Sequence, residues 1–268
     1  MSYDKFKTVL ARRDGHVLTV SFNRPERRNA INADVHNDLR DILALAGKDP
    51  DVRAIVLRGE GKSFCAGGDV NTMAGAAEGP GPSPAETVRE TLHAAEVLDM
   101  ILAVPQPIVC AVQGFAMGLG ATIALLCDVV VMAEDASIAD THVNIGVVPG
   151  DGGAVLWPLL ASLGAVKWYL MTGERISGVE AARMGLVLKA VPAAELDAEV
   201  TRLAAKLAEI APLAVRGTKT TLNKIIRERI NLVLDTGLLL EGATFVSDDH
   251  KEAVAAFMEK RGAVFKGR

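Results

Sequence analysis

Between Ala103 and Cys127 the chain contains no charged residue, and this stretch restricts the possible folds more than any other part of the sequence. It is long enough to cross a membrane as a helix. Pro105, Pro107 and glycines at 114, 118 and 120 interrupt it, and the polar Gln113 lies within it. Because these residues break a helix, we predict a buried strand, a turn and a buried helix inside a globular core, and no membrane span.

Short apolar segments that end in turn residues alternate with a segment of helical spacing. Strands are predicted within His16–Pro25, Val52–Gly59, Pro107–Gly114 and Asp128–Glu134, which are short and rich in β-branched residues. A helix is predicted over Ala33–Gly47, with Gly47 as its stop. This alternation of strands and helices is typical of an α/β fold with a buried sheet.

The strand pattern disappears after Pro192, and three segments with helical spacing follow. We therefore predict an α/β core over residues 1–192 and a helical C-terminal region over residues 193–268. Within the core, Ala74–Pro84 combines small residues with three prolines and has no apolar period, which predicts a mobile surface loop.

Composition and charge exclude several classes of function. The 268 residues are 50% hydrophobic and 23% charged, with a net charge of -4, so the chain can bury a large core and has no basic footprint for nucleic acid. The three cysteines lack metal-binding spacing, and the N-terminus has no signal-peptide pattern. We expect a cytoplasmic protein without a bound metal ion.

Two glycine turns carry the strongest candidates for chemistry. At the first, Lys62–Val70, the residues Gly61, Lys62 and Ser63 resemble the end of a phosphate-binding loop, but Val56 occupies the position where that motif needs glycine. The second, Gly114–Gly120, contains only part of a dinucleotide fingerprint. Cys65 has apolar neighbours and no local base, which favours a small buried thiol over a nucleophile. Two such turns can instead direct backbone N–H groups at an oxyanion.

Six segments, spread in order over nearly the whole chain, together resemble the enoyl-CoA hydratase/isomerase, or crotonase, family. They are Asn23–Asn32, Phe64–Asp69, Gln113–Asp128, Gly146–Gly153, Met171–Val187 and Ala256–Arg261. The resemblance implies a crotonase-like spiral of strand-strand-helix repeats, followed by C-terminal helices through which the family assembles as trimers or hexamers.

The resemblance also implies which residues meet the substrate. The N–H groups of Ala66 and Leu119 correspond to the oxyanion hole that holds a thioester carbonyl. Leu119 replaces a common glycine, but the donor is a main-chain group.

Other matching positions border coenzyme A, which belongs to the substrate, so no separate cofactor is expected. Beside Ala66, the coenzyme-binding positions implied by the family are Glu26, Arg27, Arg28, Ala30, Phe257 and Lys260. The last two close the pocket from a neighbouring subunit in the family. A solvated surface is the alternative role of the two arginines.

The sequence departs from the family where hydratases have two catalytic glutamates, because Thr122 and His142 occupy those positions. Thr122 cannot act as a base, so it either binds a water or makes a local helix hydrogen bond. His142 titrates near pH ~6.5 in its ordinary state and can exchange protons. Asp140 can pair with His142 across an extended segment. Asp151 is either an acid–base group or a cap of the following helix.

These observations predict acyl-CoA thioester chemistry through an enolate, nominally an enoyl-CoA hydratase of fatty acid metabolism. An isomerase, hydrolase or decarboxylase of the same family, or an acyl-CoA binder without activity, remains an alternative. Asp69 belongs to the family motif and is expected to be a cap. The acyl group is left open, because the loop at 73–84 and the helix after it are expected to line its pocket.

Overall fold

The computed structural model describes residues 2–69, 83 and 95–268. The predicted loop Ala74–Pro84 and the acyl pocket assigned to residues 73–84 lie outside these described residues. Within these described residues, nine strands form two sheets. They are β1 (Val9–Asp14), β2 (Val17–Phe22), β3 (Ala54–Gly59), β4 (Ile108–Val112), β5 (Phe115–Met117), β6 (Val129–Ala133), β7 (Ser137–Ala139), β8 (Ile176–Ser177) and β9 (Lys189–Val191).

The main sheet has six strands in the order β1-β2-β3-β4-β6-β9. β1 and β2 form an antiparallel hairpin, and every other neighbouring pair is parallel. β4 is buried along its whole length, as expected for an interior parallel strand. The four strands predicted from the sequence are β2, β3, β4 and β6, all within the predicted ranges.

A second sheet of three short strands, β5-β7-β8, lies where the two glycine turns meet. β5 and β7 are parallel, and an isolated bridge joins Cys65 to Ala116 of β5. This sheet was not predicted, because strands of two or three residues are too short to show an alternating pattern.

Eight α-helices with defined bounds lie in the same described part of the chain. They are α1 (Ala33–Lys48), α2 (Leu119–Leu126), α3 (Gly153–Leu160), α4 (Leu163–Thr172), α5 (Gly178–Arg183), α6 (Leu196–Glu209), α7 (Pro212–Phe245) and α8 (Asp248–Glu259). Residues 95–102 are also helical. α1 begins at Asn32, whose side chain accepts a hydrogen bond from Val35 N at 3.1 Å. It ends one residue beyond Gly47, its predicted stop.

The uncharged stretch contains the predicted buried strand, β4, and the predicted buried helix, α2. Between them, where the sequence predicted only a turn, lies the short strand β5. Among the described helices, none alone is long and apolar enough to cross a membrane. Only α7 and α8, taken together across a bend of 68°, meet that test of length and composition.

The C-terminal helices pack onto the α/β core. α6 lies against β3, β4 and β6, while α7 packs against α3 and α8. Gly150 and Gly237 mark a close approach between α7 and the turn before α3. A Cβ atom on Gly150 would lie 2.4 Å from the Gly237 carbonyl oxygen, so only glycine fits there. The helical region therefore contacts the part of the core that carries the candidate site.

Candidate active site

The two glycine turns lie side by side. Cys65 N donates to the carbonyl oxygen of Phe115 at 3.1 Å, and Met117 N donates to the carbonyl oxygen of Cys65 at 3.0 Å. These bonds hold Ala66 and Gly67 close to the start of α2, since a Cβ on Gly67 would lie 3.6 Å from Leu119 N.

The Leu119 amide is well placed to bind an oxygen. Leu119 is the first residue of α2, where backbone N–H groups lack helical partners. Within the described parts of the chain, its N–H donates to no protein group. Gly118 before it has φ +50°, and a Cβ there would lie 3.6 Å from Cε1 of His142. The positive end of α2 and the His142 ring therefore meet at this turn.

The backbone N–H of Ala66, the other predicted donor, already has a hydrogen-bond partner in this structure. Its N–H donates to the carbonyl oxygen of Arg28 at 3.0 Å. A substrate carbonyl that uses both amides must share or displace this bond, whereas Leu119 offers a donor without competition.

Cys65 is completely buried, and burial raises the pKa of its thiol to about 12. Its Sγ donates to the carbonyl oxygen of Asn29 at 3.1 Å and accepts from Gly67 N at 3.3 Å. The buried thiol predicted for Cys65 is confirmed, and a thiol with a raised pKa is a poor nucleophile near neutral pH.

His142 stands between two carboxyl groups. Its Nδ1 lies 2.6 Å from Oδ1 of Asp140, and its Nε2 lies 3.2 Å from Oδ2 of Asp151. The predicted pairing of Asp140 with His142 is thus confirmed, although His142 begins a 3-10 turn (His142–Ile145) rather than an extended segment. Thr122 completes the network, because its Oγ1 donates to Oδ1 of Asp151 at 3.1 Å.

These contacts fix the charges of the site. Burial disfavours the imidazolium, but the negative charges of Asp151 and Asp140 outweigh it and raise the pKa of His142 well above its ordinary value. Burial likewise opposes the Asp151 carboxylate, yet the His142 cation and hydrogen bonds from His142 and Thr122 lower the pKa of Asp151. Near neutral pH the ring is a cation and Asp151 is ionised, so the basic oxygens belong to Asp151.

Two sequence expectations change accordingly. Thr122 makes its described bond to Asp151, far along the chain, rather than a local helix bond. Asp151 is not a helix cap, since the N-cap of α3 is Gly152 and no side chain caps that helix. Asp69 pairs with Arg24, with Nη2 of Arg24 3.1 Å from Oδ2, and so links the two family segments at 23–32 and 64–69. The residues that follow Asp69 lie outside the described part of the chain, so its role as a cap stays a prediction.

Glu241 is the site residue that the sequence did not reveal. It lies on α7, its residue is 8% exposed, and its Oε2 has no hydrogen-bond partner among the described residues. Burial, reinforced by the charge of Asp151, raises the pKa of Glu241 to about 8. Glycines at 237 and 242 obscured the helix that carries it.

One ligand atom from each of His142, Asp151 and Glu241 lies within 4.8 Å of the other two. An imidazole nitrogen with two carboxyl oxygens is a donor set for a divalent cation. However, Nε2 of His142 is already bonded to Asp151, so metal binding would have to break this pair. The same three groups can exchange protons without a metal ion.

The predicted coenzyme positions form an exposed turn near Ala66. Glu26 and Arg27 belong to the 3-10 helix Pro25–Arg27, and Arg28 follows it with a left-handed backbone at φ 54°. All three side chains are exposed, whereas Ala30 is buried. The Arg28 carbonyl contacts Ala66, so the turn borders the predicted oxyanion hole.

Phe257 and Lys260 lie elsewhere. Phe257 is 62% exposed at the end of α8, and Lys260 caps that helix with φ 56°. In the described part of the chain, no hydrogen bond or ion pair joins either residue to the Pro25–Ala30 turn. Their proposed role across a subunit boundary remains a prediction.

Known proteins resemble this chain in both fold and sequence. Residues 12–268 match the model of the family described as enoyl-CoA hydratase/isomerase. A crotonyl-CoA hydratase of Syntrophomonas wolfei is 32% identical over 97% of this chain and 98% of its own length. A 1,2-epoxyphenylacetyl-CoA isomerase of Escherichia coli is 29% identical over 97% and 98%.

A solved enoyl-CoA hydratase/isomerase from Mycobacterium paratuberculosis superposes with a TM-score of 0.86. It is 33% identical and covers 94% of this chain and 99% of its own. The predicted crotonase-like fold, an α/β core with C-terminal helices, is confirmed. The chain belongs to the enoyl-CoA hydratase/isomerase family, whose members act on acyl-CoA substrates.

Proposed function

We propose that the protein is an enoyl-CoA hydratase in which Asp151 replaces the usual glutamates as the general base. The observation that carries this proposal is the carboxyl group of Asp151, held by Thr122 and His142 next to the turn that begins α2. A carboxylate fixed by two hydrogen bonds, one of them from the His142 ring, has its lone pairs oriented before substrate binds. The free Leu119 amide marks where the thioester oxygen would bind.

In the proposed reaction, Asp151 removes a proton from a water molecule as the water oxygen bonds to the β-carbon of the enoyl thioester. The electron pair of the double bond moves toward the thioester oxygen, where negative charge develops. Leu119 N–H donates to that oxygen, and the positive end of α2 adds to the stabilisation. Protonation of the α-carbon then completes the addition of water.

His142 acts through Asp151 in this scheme. Its imidazolium keeps Asp151 ionised, and Asp140 fixes the ring through Nδ1. His142 therefore contributes charge and orientation rather than a free base, because both ring nitrogens have carboxyl partners.

An isomerase is the second candidate. Thr122, Asp151, His142 and Asp140 form one connected network rather than two separately placed bases. A single proton-carrying network suits a reaction that removes a proton at one carbon and returns it at another. One relative, the 1,2-epoxyphenylacetyl-CoA isomerase of Escherichia coli, is named as an isomerase, which supports this alternative.

Mass spectrometry of products from a series of enoyl-CoA thioesters, including crotonyl-CoA, tests both candidates. A hydratase adds one water to the substrate mass, whereas an isomerase changes retention time without changing mass. Asp151→Asn should lower kcat by at least ~10²-fold, the scale of a general base. Asp235→Asn, an exposed position on α7, is the matched control and should match the wild type.

Full activity of Asp151→Asn, or no turnover of any enoyl-CoA by the wild type, would contradict the proposal. The assay should be repeated with a chelator present. Since proton transfer in this scheme needs only side chains, we expect the rate to be unchanged by EDTA.

A further inference from the structure

Glu241 reaches the site because α7 touches the turn before α3 through its backbone. A Cβ on Gly237 would lie 3.2 Å from both Cα and the carbonyl oxygen of Gly150, and a Cβ on Gly150 would lie 2.7 Å from Oε2 of Glu241. Two glycines thus allow close packing, and the residue one helical turn later on the same face is Glu241. This arrangement directs a carboxyl group from the C-terminal region at the catalytic turn.

The carboxyl group of Glu241 is buried and incompletely bonded. Oε2 has no hydrogen-bond partner among the described residues, yet native proteins seldom bury such an atom without one. Glu241, Asp151 and His142 each place one polar atom within 4.8 Å of the other two. The carboxyl group with the unpartnered Oε2 therefore lies beside two groups, Asp151 and His142, that can exchange protons.

The surroundings of the two carboxyl groups favour opposite protonation states. The charged groups that act on Glu241 are Asp151 in the turn before α3, His142 in the 3-10 turn and Asp140 after β7. Burial and the two aspartates favour protonated Glu241, with a pKa of about 8, whereas His142 and Thr122 favour ionised Asp151. Two carboxyl groups whose pKa values are pushed apart are typically the acid and the base of one reaction.

We propose that Glu241 is the general acid that works with Asp151, so that the C-terminal helix supplies the second carboxyl group which Thr122 and His142 do not provide. This role rests on the proposed hydration. Asp151 takes a proton from the attacking water as the bond from oxygen to the β-carbon forms, and Glu241 gives its proton to the α-carbon of the enolate. The proton on Asp151 then passes to the Glu241 carboxylate, which restores both groups.

Glu241→Gln tests this role through the pH dependence of kcat. Wild-type kcat should fall as the pH rises above about 8, because Glu241 loses its proton. At pH 7 the variant should be at least ~10²-fold slower, and its residual rate should lack the alkaline limb. Glu228→Gln, an exposed position on the same helix, should reproduce the wild-type profile. Glu241→Asp, which retains an acid, should recover part of the rate.

Retention of both the rate, within threefold, and the alkaline limb by Glu241→Gln would overturn the inference. If Asp151→Asn is inactive while Glu241→Gln is active, hydration survives and only the role of Glu241 fails. If the wild type turns over no enoyl-CoA, both the proposed hydration and the role of Glu241 are contradicted.

Infrared difference spectra of Glu241→Gln and wild type provide a second readout that does not need turnover. The wild type should show a carboxylic acid C=O band at pH 7 that is missing from the variant and is lost as the pH passes about 8. Absence of that band in the wild type would overturn the protonated state that the role requires.

Discussion

The imidazole of His142 has a carboxyl partner on each ring nitrogen, which determines its charge before any substrate arrives. A histidine with one free nitrogen titrates near pH ~6.5 and switches between acid and base. Here the negative neighbours outweigh burial and keep the ring protonated. In the proposed mechanism, the residue that looks like the obvious proton carrier in the sequence therefore acts by lowering the pKa of its neighbour Asp151.

Thr122→Val should move the acidic limb of the kcat/KM profile to higher pH. The valine has nearly the same shape but cannot donate to Asp151, and this hydrogen bond is one cause of the lowered pKa of Asp151. The shift is measured from pH-rate profiles of the two proteins. Thr122→Ser keeps a hydroxyl and should shift the limb less. An unchanged limb in Thr122→Val would show that Asp151 is not the group that titrates.

At the scale of elements, α7 connects the C-terminal region to the site through the pair of glycines. Gly237→Ala should improve the intrinsic helix propensity by about 1 kcal/mol. The added Cβ would nevertheless lie 3.2 Å from the backbone of Gly150, which cannot rotate away as a side chain can. We expect at least a tenfold loss of kcat, measured with enoyl-CoA, because α7 and Glu241 move away from Asp151.

Gly217→Ala is the control for this experiment. It lies on the same helix, and its Cβ would meet nothing within 4 Å. Thermal unfolding should show a gain of up to about 1 kcal/mol with kcat unchanged. Equal kinetic behaviour of the two alanine variants would mean that the contact between α7 and the turn does not position Glu241.

Elements differ in how far the sequence predicts them. β2, β3, β4 and β6 are apolar, short and bounded by turn residues, so the sequence reveals them directly. β5 and β8 are too short for a pattern and exist through tertiary contacts. The glycine turns and His142 were found because the family motif places them. Glu241 follows from the contact between Gly150 and Gly237, which joins distant residues and leaves no local pattern.

At the scale of the whole molecule, the C-terminal helices expose a large apolar surface. Leu213, Leu232, Leu239 and Phe257 on α7 and α8 are all more than half exposed. Exposed apolar patches of this kind mark protein interaction sites. This surface supports the proposal that residues 193–268 mediate assembly into trimers or hexamers.

Phe257→Ala should raise KM for enoyl-CoA more than it lowers kcat, because the proposal places this ring on the coenzyme pocket of a neighbouring subunit. Steady-state kinetics measures both constants, and analytical ultracentrifugation measures assembly. Leu163→Ala, an equally exposed change on α4, should alter neither. A wild-type monomer with full activity would rule out a contribution from the neighbouring subunit.

The late position of α7 has a consequence for synthesis of the chain. A nascent polypeptide that has emerged only through α6 already contains the sheet, His142 and Asp151, but lacks the carboxyl group at 241. The ion pair between Asp151 and His142 can therefore form before its acid partner arrives from a residue about a hundred positions further along. Contacts between such distant residues form slowly during folding. Catalytic competence would thus be acquired last, and a chain truncated before α7 would fold much of its core without becoming an enzyme.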